Sequence, residues 1–354
     1  MITLVIPAHN NLRHLKNAYA SIKKHAPEAS LIMIDDALTD GTWEWLESLE
    51  DDKLRILKVD ERKGHTILYD VGIGMAETEI VGIMHADMIM GPNYIENVLK
   101  HLHRGKVVCG TRIEPPLHPA GPEKIIQNFG MDFDDLNIEA FESYVNEIQP
   151  IHNGETSKGM FAPWVIYKQD FLDMGGHDWG FAPFPYEDSD IFQRWLLMGY
   201  ELTQSRDAFV YHLTCRGHRW TGEIGKNDDF FEQASAKARD YYIKKWGSWI
   251  KNDENQHPIL IPIYKKALVI EDYHPTSMDI WFNAINPDNI DEYDIVIQAD
   301  YKTITNEDFD VIININQIVQ QTNETGNYEI GNLKVIINSL EDRSKDIIFI
   351  NNHD

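Results

Sequence analysis

His85-Ala86-Asp87 is the point in the 354-residue chain where residue types and spacing first suggest chemistry. It follows an unbroken apolar run, Ile80 to Met84, which reads as a strand covered on both faces in the middle of a parallel sheet. Residues two apart on an extended chain share a face, so His85 and Asp87 are expected to point together where an α/β sheet opens its ligand crevice. An imidazole and a carboxylate there suit a metal ion. Alone, such a triplet is more often a polar turn after a strand, so its surroundings have to decide.

Two other segments end in the same way. Thr3 to Ile6 is a β-branched strand leading into Pro7-Ala8-His9-Asn10, and Leu31 to Ile34 leads into Asp35-Asp36. If all three strands belong to one parallel sheet, their loops lie along one edge and make an acidic crevice. Asp35-Asp36 on its own fits an Asx-turn equally well. Gathered carboxylates need compensation, and a divalent cation bound together with a diphosphate would supply it, since hard oxygen ligands suit Mg²⁺ or Mn²⁺. Further on, Arg216-Gly217-His218-Arg219-Trp220 sets two guanidiniums and an indole around a flexible glycine. Arg forks match phosphate oxygens, although a solvated surface loop has the same composition.

The elements that must position these residues alternate. Helical spacing follows each strand: Leu12, Leu15, Tyr19 and Ile22; then Trp43, Trp45, Leu46 and Leu49; then Ile67, Val71 and Met75. Leu54 to Val59 is a third strand, closed by a polar loop with Arg62-Lys63-Gly64, and Gly91-Pro92 ends the extended stretch after Asp87 before a helix through Tyr94, Val98 and Leu102. Such alternation argues for a doubly wound, mostly parallel sheet.

The chain is too long for one ordinary core, so a main domain with a smaller one attached is expected. Residues 252–354 hold 19 Asp and Glu against 6 Lys and Arg in a protein of net charge −25, which places the boundary between 251 and 252. Five short β-branched runs beyond it (Leu268, Ile295, Val311, Val335 and Ile347 onward), with a helical-looking Met278 to Ile285, read as a small α/β accessory domain. The charge disfavours nucleic acid and anionic lipid as partners. Two cysteines, no basic-then-apolar leader after Met1 and no apolar run of membrane length make a soluble, cytoplasmic protein the expectation.

At this level the residues resemble glycosyltransferase family 2, whose members have the GT-A fold. Val5 to Asn10 looks like the family's opening strand and loop, and Ile34 to Thr42 looks like its aspartate-rich second loop. Gly64 and Gly72-Ile73 match its third loop and helix, and His85-Ala86-Asp87 stands at its Asp-x-Asp position with the first Asp replaced. Gly175-Gly176-His177-Asp178 followed by Tyr186-Glu187-Asp188-Ser189-Asp190 resembles the acceptor-side segment that supplies the catalytic base. Val210-Tyr211-His212 is similar to the strand end whose His completes the metal site, and Lys245-Trp246-Gly247 resembles the end of the catalytic domain. Tyr69 and Asp70 depart from the Arg and Asn more usual in the family.

The resemblance implies an inverting transfer of sugar from a nucleotide-diphosphate donor to a hydroxyl, a glycan's most plausibly. It implies donor contacts at Pro7, Ala8, His9, Asn10, Asp35, Asp36, Lys63, Gly64, His85, Ala86 and Asp87, with Mn²⁺ or Mg²⁺ on Asp87 and His212. The guanidiniums of Arg216 and Arg219, read from their own chemistry, are expected on the same donor's phosphates. The resemblance places the base at Asp188, with Glu187 beside it. The residues themselves leave Glu187, Asp188 and Asp190 in competition at a helix entrance. If Ser189 caps the helix and Asp190 faces its first amides, Asp188 is released into a crevice crowded by Tyr186 and Phe184, where desolvation raises a carboxylate's pKa. His9, His65, His177 and His218 read as ordinary histidines. Trp164 and Trp179 could stack on a sugar, and Trp195 sits at core spacing. Two rival readings stand: a sugar-nucleotide nucleotidyltransferase, for which Pro7-Ala8-His9-Asn10 lacks the glycine-rich basic character, and a non-catalytic sugar-binding protein on the same fold.

Overall fold

A computed structural model describes residues 1–37, 39–216, 219–220, 223–246 and 249–259, together with the backbone of five strands farther along the chain. Up to residue 126 the order is β1 (Ile2–Ala8), α1 (Leu12–His25), β2 (Ser30–Asp36), α2 (Thr42–Glu47), β3 (Leu54–Val59), α3 (His65–Met75), β4 (Ile80–Ile83), β5 (Met88–Met90), α4 (Tyr94–Leu99), β6 (Lys106–Glu114) and β7 (Lys124–Ile126). There follow α5 (Ile138–Ile148), β8 (Thr156–Ser157), β9 (Trp164–Tyr167), α6 (Lys168–Asp173), α7 (Glu187–Leu197), β10 (Glu201–His212) and α8 (Asp229–Trp246).

The main sheet runs β3-β2-β1-β4-β9-β6-β10-β5. Its first four strands are parallel, as alternation requires. Beyond β4 the sheet is mixed: β9 runs antiparallel to both β4 and β6, and β5 antiparallel to β10. Six of these eight strands still run the same way, because β6 and β10 pair in parallel, so the expectation of a mostly parallel sheet holds. Apolarity tells a strand that both faces are covered but not which way to run.

Two cores cover the two faces. Along β1, Ile2, Leu4 and Ile6 join one with Leu15 and Ile22 of α1, while Val5 joins the other with Leu68 and Ile73 of α3. Strand β2 divides in the same way, Leu31 and Met33 against Ile32 and Ile34. This two-sided burial explains the unalternating sequence of the strands. Helix α3 lies so close to the sheet that a Cβ on Gly72 would stand 2.3 Å from Val5 Cγ1. A third cluster, Phe141, Val145, Phe209 and Tyr211, packs α5 on β10.

Farther along, β11 (Ala267–Glu271), β12 (Ile295–Gln298), β13 (Val311–Ile318), β14 (Lys334–Ile337) and β15 (Asp346–His353) form a second sheet in the order β12-β11-β13-β15-β14, with only β14 antiparallel. All five β-branched runs are strands. The helix expected over Met278 to Ile285 lies outside the described residues. Neither Cys109 nor Cys215 is in a disulfide. Among the described residues, no helix is long and apolar enough to cross a membrane.

Candidate active site

The loops after β1, β2, β3 and β4 meet the N-terminus of α7 around a cleft of about 460 Å³. Pro7, Ala8, His9, Asp36, Gly64, His85, Ala86, Asp87, Glu187, Asp188 and Arg216 line it, all from the residues singled out in the sequence. Asp36 organises the rim rather than reaching across it. Its two carboxylate oxygens accept the amides of Lys63 (2.6 Å) and Gly64 (3.0 Å), and its carbonyl lies 2.8 Å from His9 Nδ1. Gly64 is required there, because φ is +82° and a Cβ would fall 2.3 Å from the Pro183 backbone.

The other donor-side expectations are displaced from the cleft wall. Asp35 is buried in register with Ala8. Asn10 turns outward at φ 45° and accepts the Thr39 amide, and Asn11 lines the cleft in its place. Lys63 presents its amide inward while its ammonium faces Glu61. Arg219 is held by Asn227 Oδ1 and lies over Trp220 and Phe231. His218 lies outside the described residues.

His85, Asp87 and His212 come together with ligand atoms all within 4.8 Å of one another. The mechanism differs from the extended-chain expectation. The chain turns at His85 to Asp87, with Met88 N bonded to His85 O, and β5 then pairs with the end of β10, Met88 opposite His212. That pairing sets Asp87 beside His212, with Nε2 3.5 Å from Asp87 Oδ1. The other ring nitrogen, Nδ1, donates to Glu114 Oε1 at 2.8 Å, and Glu114 is backed by Lys124 and Arg112. A carboxylate behind a histidine fixes its tautomer and leaves Nε2 as the metal-facing atom. Asp87 Oδ2 accepts the Arg216 amide, which orients the carboxylate. Two imidazoles and one carboxylate so arranged fit a divalent cation.

At α7, Tyr186 precedes the helix in the left-handed region, φ 76°, with no side-chain cap. Asp188 Oδ1 accepts the Ser189 amide at 2.6 Å, so Ser189 does not cap the helix as expected. Asp190 does not face the first turn either. It is buried against Lys245 (2.6 Å), Arg194 (2.9 Å) and Trp246 Nε1 (2.9 Å), because α8 brings an ammonium beneath it. Asp178 shares that ammonium at 2.7 Å.

Glu187 and Asp188 are left at the cleft, in different states. Burial alone would raise Glu187, but the charge and hydrogen bond of His65, 2.7 Å away, bring its pKa to about 2. Burial raises Asp188, the Glu187 charge adds to it, and its pKa reaches about 6. His65, read from sequence as ordinary, is therefore a site residue; it stacks on Phe184 and His85. Also unforeseen in the wall are Arg62, Arg112, Phe161 and Trp249, together with Tyr69 and His177. Asp70 lies behind them, accepting the His177 amide, its Nδ1 and Trp179 Nε1. Trp164 belongs to the core and also lines the cleft, whereas Trp195 is core alone.

A mixed sheet whose first parallel strands end on a metal-competent cleft fits the GT-A fold. The chain superposes on the crystal structure of GalNAc-T7 with UDP, GalNAc and Mn²⁺ with a TM-score of 0.51 at 17% identity, over 70% of this chain and 49% of that one. Residues 3–152 match the model for Glycosyl transferase family 2. It is 26% identical over 105 residues to Glycosyltransferase GlyG of Streptococcus pneumoniae, covering 29% of this chain and 35% of that one. It is 24% identical over 119 residues to Undecaprenyl-phosphate mannosyltransferase of Micrococcus luteus, covering 32% and 49%. The chain thus matches half or less of the length of these relatives. Glu187, Asp188 and His212 lie beyond the family match.

Proposed function

We propose that the chain transfers a sugar, with inversion, from a nucleotide-diphosphate donor to an acceptor hydroxyl, with a divalent cation held by His85, Asp87 and His212. The observation that carries the reading is the split of adjacent carboxylates in a cleft that also holds a cation site: Glu187 brought to about 2, Asp188 to about 6. Neighbouring groups pushed apart in this way take different roles in acid–base chemistry. Asp188 accepts the acceptor's proton, and Glu187, pinned by His65, stays ionised and holds hydroxyls in place. Asp36 fixes the loop that closes the donor side. When bound, the cation offsets the charge of the departing diphosphate as a Lewis acid.

Incubating the protein with a panel of nucleotide sugars and Mn²⁺, and following nucleoside diphosphate release, tests this directly. Release is expected with a subset of donors, to be lost in Asp87→Ala. Thermal stabilisation by UDP or GDP should require a divalent cation, reaching about 2.7 kcal/mol at a hundred times the dissociation constant. If no donor is turned over and no nucleotide stabilises the fold with Mn²⁺ present, the reading fails.

A further inference from the structure

We propose that Trp249 is the acceptor platform, and that the acceptor is a pyranoside whose apolar face lies on the indole. This rests on the transferase reading above. Trp249 follows α8 and lines the cleft together with Tyr186, Asp188 and Ser189. The ring is braced from behind and from the sides. Arg239 stands over it at 5.3 Å, Tyr186 meets it at 4.7 Å and 89°, and Tyr242 at 5.9 Å and 72°. With a guanidinium 5.3 Å from its centroid and two tyrosines set at steep angles to it, the indole stands in the cleft wall as a held ring.

The polar groups around it fit the same occupant. Asp188, Ser189 and Asn252 border the cleft beside the indole. A flat apolar surface edged by hydrogen-bonding side chains is the complement of a pyranose, with axial hydrogens on one face and hydroxyls around the rim. Tyr186 adds a second argument. A tyrosine in the left-handed region persists only where its surroundings hold it; here the carbonyl accepts the Asp190 amide at 3.1 Å and the ring meets Trp249. The indole is thereby coupled to the turn that carries Asp188 two residues later. Asp36 and His9, which organise the loops after the first strands, belong to the donor side instead.

The test compares the full chain with Trp249→Phe and Trp249→Ala, each checked for folding by its melting temperature. Saturation-transfer NMR is run with methyl glucoside, methyl galactoside, methyl mannoside and a set of oligosaccharides, with UDP or GDP and Mn²⁺ present. At least one glycoside should bind the parent chain, receiving saturation mainly on the protons of one ring face. Its affinity should fall by on the order of tenfold in Trp249→Ala and by less in Trp249→Phe, which keeps a smaller ring. Nucleoside diphosphate affinity should move by less than that.

Glycoside binding equal in all three proteins overturns the proposal, as does no binding to the parent chain. So does a loss confined to UDP or GDP, which would put the indole under the nucleobase. If the alanine variant unfolds, the phenylalanine variant decides alone, by weaker or unchanged binding. Glycoside binding through Trp249 in a chain that releases no diphosphate from any donor would keep the platform and sink the transferase reading, so the two failures are distinct.

Discussion

Glu187 and Asp188 stand on the first turn of one helix, yet only Glu187 reaches His65. That single contact divides their labour: the charge-assisted bond keeps Glu187 ionised, and the resulting negative charge adds to burial in raising Asp188 to about 6. A base must be ionised, so transfer is expected to fall as pH drops through about 6. Asp188→Asn should lower transfer by about 10² to 10⁴, the usual contribution of a general base, with nucleotide binding retained. Stability should move the other way. The ionised form of Asp188 is the disfavoured one, so its cost is absent below the unfolded value of 3.8 and complete above about 6. Asp188→Asn should therefore stabilise the protein by on the order of 1–3 kcal/mol above pH 6 and not at all below pH 4, as chemical denaturation at the two pH values would show. Behind the cation site, Glu114→Gln should weaken Mn²⁺ binding by about 10- to 100-fold, read by electron paramagnetic resonance with UDP or GDP present; unchanged affinity would remove Glu114 from the site. The aromatic crowding of Asp188 could be read from its neighbours in sequence. The His65 contact could not, since its partner lies 122 residues away and no spacing announces it.

At the scale of elements, α7 is positioned by α8 rather than by a cap. Lys245 stands between Asp178 and Asp190, all three buried, and Trp246 donates to Asp190 from the same turn. Burial and the neighbouring Asp190 charge raise Asp178. Burial opposes the Asp190 charge too, but Lys245 and Arg194 outweigh it and hold that carboxyl down. Removing the shared cation strands two carboxylates in the interior, so Lys245→Met should cost about 3–5 kcal/mol in urea denaturation at neutral pH. A loss below about 1 kcal/mol would mean that the network carries little of the packing between the helices. The helix entered at Glu187 was legible because its apolar spacing is local. Asp190 was misread because a carboxylate at a helix entrance looks like a cap until the ammonium beneath it is known. The docking of β5 on β10 was equally hidden. Three apolar residues specify burial and nothing more, whereas the pairing of Met88 with His212 is what assembles the cation site.

For the whole molecule, composition located a change of character near residue 252, and the described residues continue through a turn as far as Ile259. Asn252 pairs with Pro258, Ile259 N bonds to Lys251 O at 2.7 Å, and Asp253 N bonds to His257 O at 2.9 Å. This turn folds the chain back on itself just after Trp249, and Asn252 contributes to the cleft wall. A chain ending after Ile259 keeps every tie of the turn and should remain folded, with donor turnover intact. One ending after Lys251 loses the Asn252 pair and the bond to Lys251, and with them the Asn252 part of the cleft wall, while the main sheet and both of its cores persist. Losing two or three surface hydrogen bonds should cost about 1–2 kcal/mol, or a melting temperature lower by a few degrees in a unit of this size. Transfer to an acceptor should suffer more than donor hydrolysis, because Asn252 leaves the cleft wall while the three residues of the cation site all remain. Circular dichroism, melting curves and the two activities on both shortened chains would decide. If the chain ending after Ile259 is unfolded, the acidic strands share a core with the first unit and the boundary is wrong. If the chain ending after Lys251 matches it in melting and in both activities, the turn at 252–259 has no part in the site.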